Sequence, residues 1–327
     1  MFAPEAEVWC KNMPASGLGN LLAVNISTPG LSMLFPHAHC LADYSVCQYS
    51  TLGGVVLARY AVQVALQFEL DAREMTENFT TGDFPYGKSQ SNQYAAKQYG
   101  TEVMELIEDL REIAYALASK ARLADNAQAA QYRARYKPLK DLAAATMGAS
   151  VAKCDTATSD VYCSGKLLSE SFENITGVCT NGMGRYCMTA QEDNAILEVL
   201  VRMAIWRLVD FGRAILMRSG SNFDRPPPGV SAYEHLAVLH QNGFPIAIQN
   251  LFNAGIEIVK GILEDWDSTF GKGIKPSNYI GDVLGGLGGQ PGFGPGSLTG
   301  GKGVSDRQFS CSEYVWPGVY GRRGVSQ

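Results

Sequence analysis

Histidine is scarce: there are four, at 37, 39, 235 and 240, in a chain of 327 residues. So few imidazoles leave little material for a histidine-rich metal centre. His235 and His240 stand five apart and diverge by about 140° on a helix, so they do not chelate from one face. His37 and His39, in PHAHCLADYSVC with Cys40 and Cys47, form the best ligand-like cluster. An H-x-H pair presents two imidazoles on one side of an extended segment, a geometry that suits zinc or copper. The spacing matches no standard zinc motif, and Cys40 and Cys47 serve equally well as disulfide partners. Surface histidines beside a disulfide are therefore the competing reading, and no cofactor is expected.

Positive charge is also in short supply. Lys and Arg total 27 against 32 Asp and Glu, for a net charge of −5. Without a basic stripe, nucleic acid is not expected as a partner. The short clusters Arg133, Arg135, Lys137 and Lys140, and Arg322 with Arg323, read as solvated faces. Long uninterrupted apolar runs are missing as well. Leu52–Leu70 is crossed by Arg59, Gln63 and Gln67, and Thr189–Gly220 by Arg202, Arg207, Asp210 and Arg213. Each such charge costs about 2.5–3.5 kcal/mol at a bilayer centre, so no transmembrane segment is expected. The opening MFAPEAEVWC has neither a basic n-region nor an apolar h-region and reads as a mature chain behind an added methionine.

Catalytic signatures are lacking too. GSLTGGKG, residues 296–303, imitates a phosphate loop, but Gly303 stands where Ser or Thr should hold magnesium, and no strand or helix pattern flanks it. There is no G-x-S-x-G elbow. Cys163, in YCSGK, has cysteine neighbours that make a disulfide the better reading than a nucleophile. Glu264, Asp265 and Asp267 read as a solvated helix end. A non-enzymatic role follows as the expectation.

What the chain does have is cysteine: Cys10, Cys40, Cys47, Cys154, Cys163, Cys179, Cys187 and Cys311. Their even number, and their placement mostly in segments that read as irregular, favour disulfides and an extracytoplasmic location, whether periplasmic, secreted or at a surface. The connectivity is open.

It also has helix-like apolar seams. Thr189–Gly220 carries Leu197, Val201, Ala204, Leu208, Phe211 and Ile215 at steps of four and three, with a Thr189–Glu192 capping box and Gly220 as a stop. Similar seams run through Val103–Ala124 and Ile248–Trp266, and 52–78 reads as a further long helix with a narrow polar stripe. Ser231 with Glu234 forms a second capping box, and Pro245 opens a helix. The expected fold is mainly α: a multi-helix bundle with long helices, a small disulfide-rich irregular insert and an extended Gly-rich C-terminal tail. The expected segments are an irregular cysteine-bearing 1–50, a helical body 51–280 with its insert at 149–188, and a Gly-rich linker with a docked end at 281–327.

The central helix is apolar on a second side, at Val199, Met203 and Trp206, which marks a packing or interface surface. Residues alone thus favour a structural or assembly subunit outside the cytoplasm. Its partners would be proteins, above all copies of itself in an oligomer, as in a secretion or conjugation apparatus, a pilus-like structure or a viral shell. Two readings stay beside it: an extracellular hydrolase with metal at His37 and His39, and a secreted helical binding module or effector.

Overall fold

The run Val55-Val56-Leu57-Ala58 is buried at every position and forms strand β3 (Val55–Ala58). After a bend at Arg59 the chain continues as β4 (Tyr60–Gln63). A strand buried on both faces loses the apolar–polar alternation that would betray it in sequence. The computed structural model describes residues 33–37, 45–46, 50–64, 93, 102–158, 164–190, 193–205 and 209–284. In chain order the remaining elements are β1 (Met33–His37), β2 (Ser45–Val46), β5 (Glu102–Glu105), α1 (Glu108–Ala118), α2 (Ala127–Arg133), β6 (Val151–Lys153), β7 (Asp155–Thr158), α3 (Lys166–Cys179), β8 (Tyr186–Ala190), α4 (Asp193–Ile205), β9 (Ala214–Ser219), β10 (Asn222–Phe223), α5 (Ala232–Ala237), α6 (Phe244–Glu264) and β11 (Gly281–Asp282).

The strands fall into two sheets, ordered β1-β9-β3-β6 and β10-β2-β8-β7-β4-β5-β11. Three pairs pass from one sheet to the other with only a short break: β3 into β4, β6 into β7 and β9 into β10. Because β10, which continues β9, pairs with β2, the pairings run β9/β10, β3/β4, β7, β8, β2 and back to β10. The sheets therefore close on themselves, and the helices pack outside. Helix α6 lies on α1, where Gly261 lets the two backbones approach against Leu117. The loop Ser50–Gly54 clasps the end of β9: Gly53 N donates to Gly220 O (2.7 Å) and Gly220 N to Gly54 O (2.9 Å). That turn needs φ +75° at Gly53, a region open to glycine at little cost.

This architecture overturns the mainly-α bundle. Thr189–Gly220 is not one helix: Thr189 lies in β8, α4 begins at Asp193, and Ala214–Ser219 is strand β9. The seam Val103–Ala124 runs through β5 and α1, and 52–78 opens with β3 and β4. The insert 149–188 is not irregular; it supplies β6, β7, α3 and β8. Segments rich in Val, Ile and Leu satisfy four-three spacing whether or not they are helical, and here the strands are buried on both sides. Of the Gly-rich tail, only Gly281–Leu284 falls among the described residues, and it adds the edge strand β11. The local signals at 231–245 do match the structure: Ser231 Oγ accepts from Glu234 N (3.1 Å), and Pro245 sits in the first turn of α6.

Candidate functional site

Strands β4, β7 and β8 run parallel, with their carboxyl ends side by side. In parallel α/β sheets, open or closed into a barrel, this edge is where ligands bind, beneath the helix N-termini that follow the strands. Helix α4 starts here. Thr158 Oγ1 donates to Asn194 Oδ1 (2.7 Å), and Asn194 Nδ2 donates to the carbonyls of Ala61 (3.3 Å) and Glu102 (3.4 Å). Asn194 thereby ties the first turn of α4 to three strands.

Beside it, Asp193 is 1% exposed and forms an ion pair with Arg218 of β9, which is 0% exposed. Arg218 stands in register with Val56 of β3, so the pair links α4 to the closing strand of the ring. Among the described residues the Asp193 oxygens accept no hydrogen bond beyond that ion pair. A carboxylate has about four acceptor sites, so Asp193 keeps capacity for further donors. Thr156 shares a face of β7 with Thr158, by the two-residue period of a strand. Its Oγ1 is buried and likewise without a partner. Ser50 Oγ and Ser219 Oγ repeat the pattern where the Ser50–Gly54 loop meets β9. Glu102, the first residue of β5, has its carboxyl pushed up to about 7 by burial and by Glu198 and Asp282, against Arg202.

Two other polar clusters carry more bonds, although Glu105 Oε2 in the second is buried without a partner. Asp224 Oδ2 accepts from Tyr186 OH (3.0 Å) and from the Arg225 guanidinium (3.0 Å), and its carbonyl accepts from Gly165 N (2.8 Å) and Ser169 Oγ (3.0 Å). Next to it, His235 Nε2 donates to Phe223 O (2.9 Å), which leaves Nδ1 to accept from Tyr132 OH (2.7 Å). Burial holds His235 below its ordinary pKa, in keeping with this neutral pinning role. At the amino ends of β4 and β7, Asp155 accepts from three backbone N–H groups, and Glu105 accepts from Arg59, Tyr60 and Asn278.

The structure does not gather the residues singled out in sequence into one site. Cys154 and Cys187 form a disulfide across β6–β7 and β8, while Cys179 is a buried free thiol pushed up to about 12 by desolvation. His37 ends β1, but its side chain, like His39, Cys10, Cys40, Cys47, Cys163, Cys311 and Trp206, lies outside the described residues. Among the described residues no three His, Cys, Asp or Glu side chains converge as metal ligands. Val199 points outward at 54% exposure and Met203 is half-buried, both on α4. Asp193, Arg218 and Thr156 were not found by sequence reasoning. The available signal was the change at YCMTAQEDN from a β-branched, sulfur-rich run to an acidic helix start, together with one arginine inside the apolar AILMRS.

A family model described as purine nucleoside permease (NUP) matches residues 1–51 and 48–275. A purine nucleoside permease of Candida albicans is 37% identical over 344 aligned residues, covering 91% of this chain and 82% of the relative. A probable purine nucleoside permease of Schizosaccharomyces pombe is 31% identical over 315 residues, covering 81% of this chain and 88% of that one. Among solved structures, a 5'-methylthioadenosine/S-adenosylhomocysteine nucleosidase from Neisseria meningitidis aligns at TM-score 0.31 and 13% identity, over 66% of this chain and 65% of that one. A likeness that slight carries no weight here. The sequence relatives do, and they overturn the structural assembly subunit, with its self-associating secretion-apparatus role, and the hydrolase and effector readings beside it. Apolar seams and cysteines had suggested packing between copies, whereas the same seams build the strands and helices of a closed α/β core. On a match that runs through most of its length, the chain belongs to the purine nucleoside permease family.

Proposed function

We propose that this protein binds a purine nucleoside at the carboxyl ends of β4, β7 and β8 and serves the passage of purine nucleosides across a membrane. The family supports the ligand class, since the relatives are named for purine nucleosides. The observation that carries the site is the buried Asp193 carboxylate with acceptor capacity to spare. Ribose offers two vicinal hydroxyl donors, and a carboxylate oriented by a guanidinium is a fitting acceptor for them. Arg218 fixes the carboxylate, Asn194 fixes the helix end behind it, and the Thr156 hydroxyl lies on the same strand face. The Cys154–Cys187 disulfide favours an extracytoplasmic setting for this domain. Helix α6 has the length and apolarity to cross a membrane, but half of its apolar window is buried within the fold.

The test is calorimetric titration with adenosine, guanosine and inosine, with uridine as the control, alongside uptake in cells lacking nucleoside transport. Purine nucleosides should bind and enter, and Asp193→Asn should weaken binding at least about tenfold, the worth of one charge-assisted hydrogen bond. Equal binding of uridine, or no binding at all, sinks the reading.

A further inference from the structure

Strands β7 and β8 do not pair one to one. Asp155 stands opposite Tyr186, but the next residue, Thr156, stands opposite Met188, so Cys187 is an extra residue of β8 with no counterpart. Its side chain is bonded to Cys154, the residue before β7. On the amino side of this bulge the strands are clamped: Asp155 N donates to Arg185 O (2.7 Å), and Asp155 Oδ2 accepts from Arg185 N (2.8 Å). On its carboxyl side Thr158 pairs with Ala190, and Thr158 Oγ1 donates to Asn194, the neighbour of Asp193 (2.7 Å). The bulge thus takes up one residue of β8, about 3.3 Å of strand, and sets where α4 begins relative to Thr156 and Thr158.

Burial alone does not fix this register. β7 is buried at every position, so a slip by one residue turns no side chain toward water. The disulfide does fix it. The Cα atoms of Cys154 and Cys187 are 5.9 Å apart. Pairing without the bulge sets Cys187 opposite Thr156, two residues along and one strand across from Cys154, roughly 8 Å away by strand geometry. Cysteines more than about 7 Å apart are not bridged without backbone movement, so the bond and the unbulged register exclude each other. We infer that Cys154 and Cys187 are a positioning pair for the ligand: their bond holds the bulge that sets the start of α4, with Asp193, relative to the Thr156 hydroxyl. The inference rests on the nucleoside reading of that end of the sheet. Both cysteines are buried, at 2% and 0% exposure, which makes the bond a fixed staple rather than a switch.

The test is a double-mutant cycle between the bond and the hydroxyl it positions. Wild type, Thr156→Val, Cys154→Ala/Cys187→Ala and the triple variant are titrated with adenosine, guanosine and inosine, well below their melting temperatures. Loss of the bond should weaken purine nucleoside binding at least about tenfold, and Thr156→Val should then cost less than about twofold instead of about three- to tenfold. A staple that only stabilises the fold lowers the melting temperature and leaves affinity and the Thr156→Val cost unchanged; that result overturns the inference. So does a weakened affinity with the Thr156→Val cost intact. If wild type binds no purine nucleoside, or Thr156→Val costs nothing, the proposed ligand contact falls and backbone hydrogen exchange decides the register. Exchange at least about tenfold faster at Met188–Ala190 in the bond-free variant, with Val55–Ala58 unchanged, upholds it, and any other pattern overturns it. Should the alanine variant not fold, folded wild type reduced until peptide mapping finds the bond open takes its place.

Discussion

At the amino ends of β4 and β7, Asp155 is fully engaged. Oδ1 accepts from the backbone N–H of Arg59 (2.9 Å) and Tyr60 (2.8 Å), and Oδ2 accepts from that of Arg185 (2.8 Å). One residue on, facing the other side of β7, Thr156 Oγ1 is buried without a partner, and past the carboxyl end of the strand Asp193 accepts nothing beyond its ion pair with Arg218. Two residues of β7, adjacent in sequence, thus sit in opposite polar environments. Burying a polar group without a partner costs stability, so a protein tolerates it where the group has another use. The Asp155 carboxylate holds the strands together where β3 bends into β4. Asp193 and Thr156 keep polar capacity for a ligand, while at the amino end Glu105 Oε2 is the buried oxygen without a partner.

The sharpest way to break this comparison is Asp155→Ala. It strips the acceptor from three buried N–H groups, each worth about 1–3 kcal/mol when orphaned, so a loss of at least about 3 kcal/mol is expected in urea unfolding. Burial already raises the pKa of Asp155, and the three backbone donors offset that penalty in the native state. A loss under about 1 kcal/mol would mean that water replaces the carboxylate and that Asp155 is no more firmly engaged than Thr156.

Thr156→Val tests the unpartnered hydroxyl on the other face of β7 with a smaller change. Valine keeps the β-branched shape and removes a hydroxyl that has no partner, so stability should hold or rise by up to about 1 kcal/mol. Purine nucleoside affinity should fall about three- to tenfold, the worth of one neutral hydrogen bond. If the variant instead loses stability with no change in affinity, Thr156 belongs with Asp155 as a structural group.

The sequence made α6 and the Ser231 cap legible, because a helix packed on one side of a core keeps its period and its capping residues act locally. It did not reveal the sheets. Val55-Val56-Leu57-Ala58 and Ala214-Ile215-Leu216-Met217 are buried throughout, and such runs have no alternation to read. Even within α6 the expected seam divides in space: Gly255 and Ile262 face inward while Ile248 and Phe252 face out. Period alone does not separate the two sides of a doubly apolar helix. Asp193 and Arg218 were hidden for a different reason, since the partnership spans β8–α4 and β9 and exists only once the ring has closed. Among the described residues Arg218 is the largest of the fully buried side chains, and a charge inside an apolar strand is tolerated only with such a partner.

The smallest expected effect reads the same contrast through pH. Glu102 opposes Gln63 at the carboxyl end of β4, and its backbone carbonyl accepts from Asn194. Burial, then Glu198 and Asp282, push its carboxyl from an ordinary value of 4.5 up to about 7. The folded chain therefore keeps this proton to near neutrality, while the unfolded chain releases it near the ordinary value. Between those two points the unfolded state binds fewer protons, so stability falls as pH rises through the window and levels off above it. Glutamine carries no proton to lose. The melting temperature of Glu102→Gln should therefore stay nearer wild type at about pH 5 and exceed it at about pH 8. A difference that does not grow with pH would mean that Glu102 is already ionised and paired. Its carboxylate would then be as firmly engaged as that of Asp155.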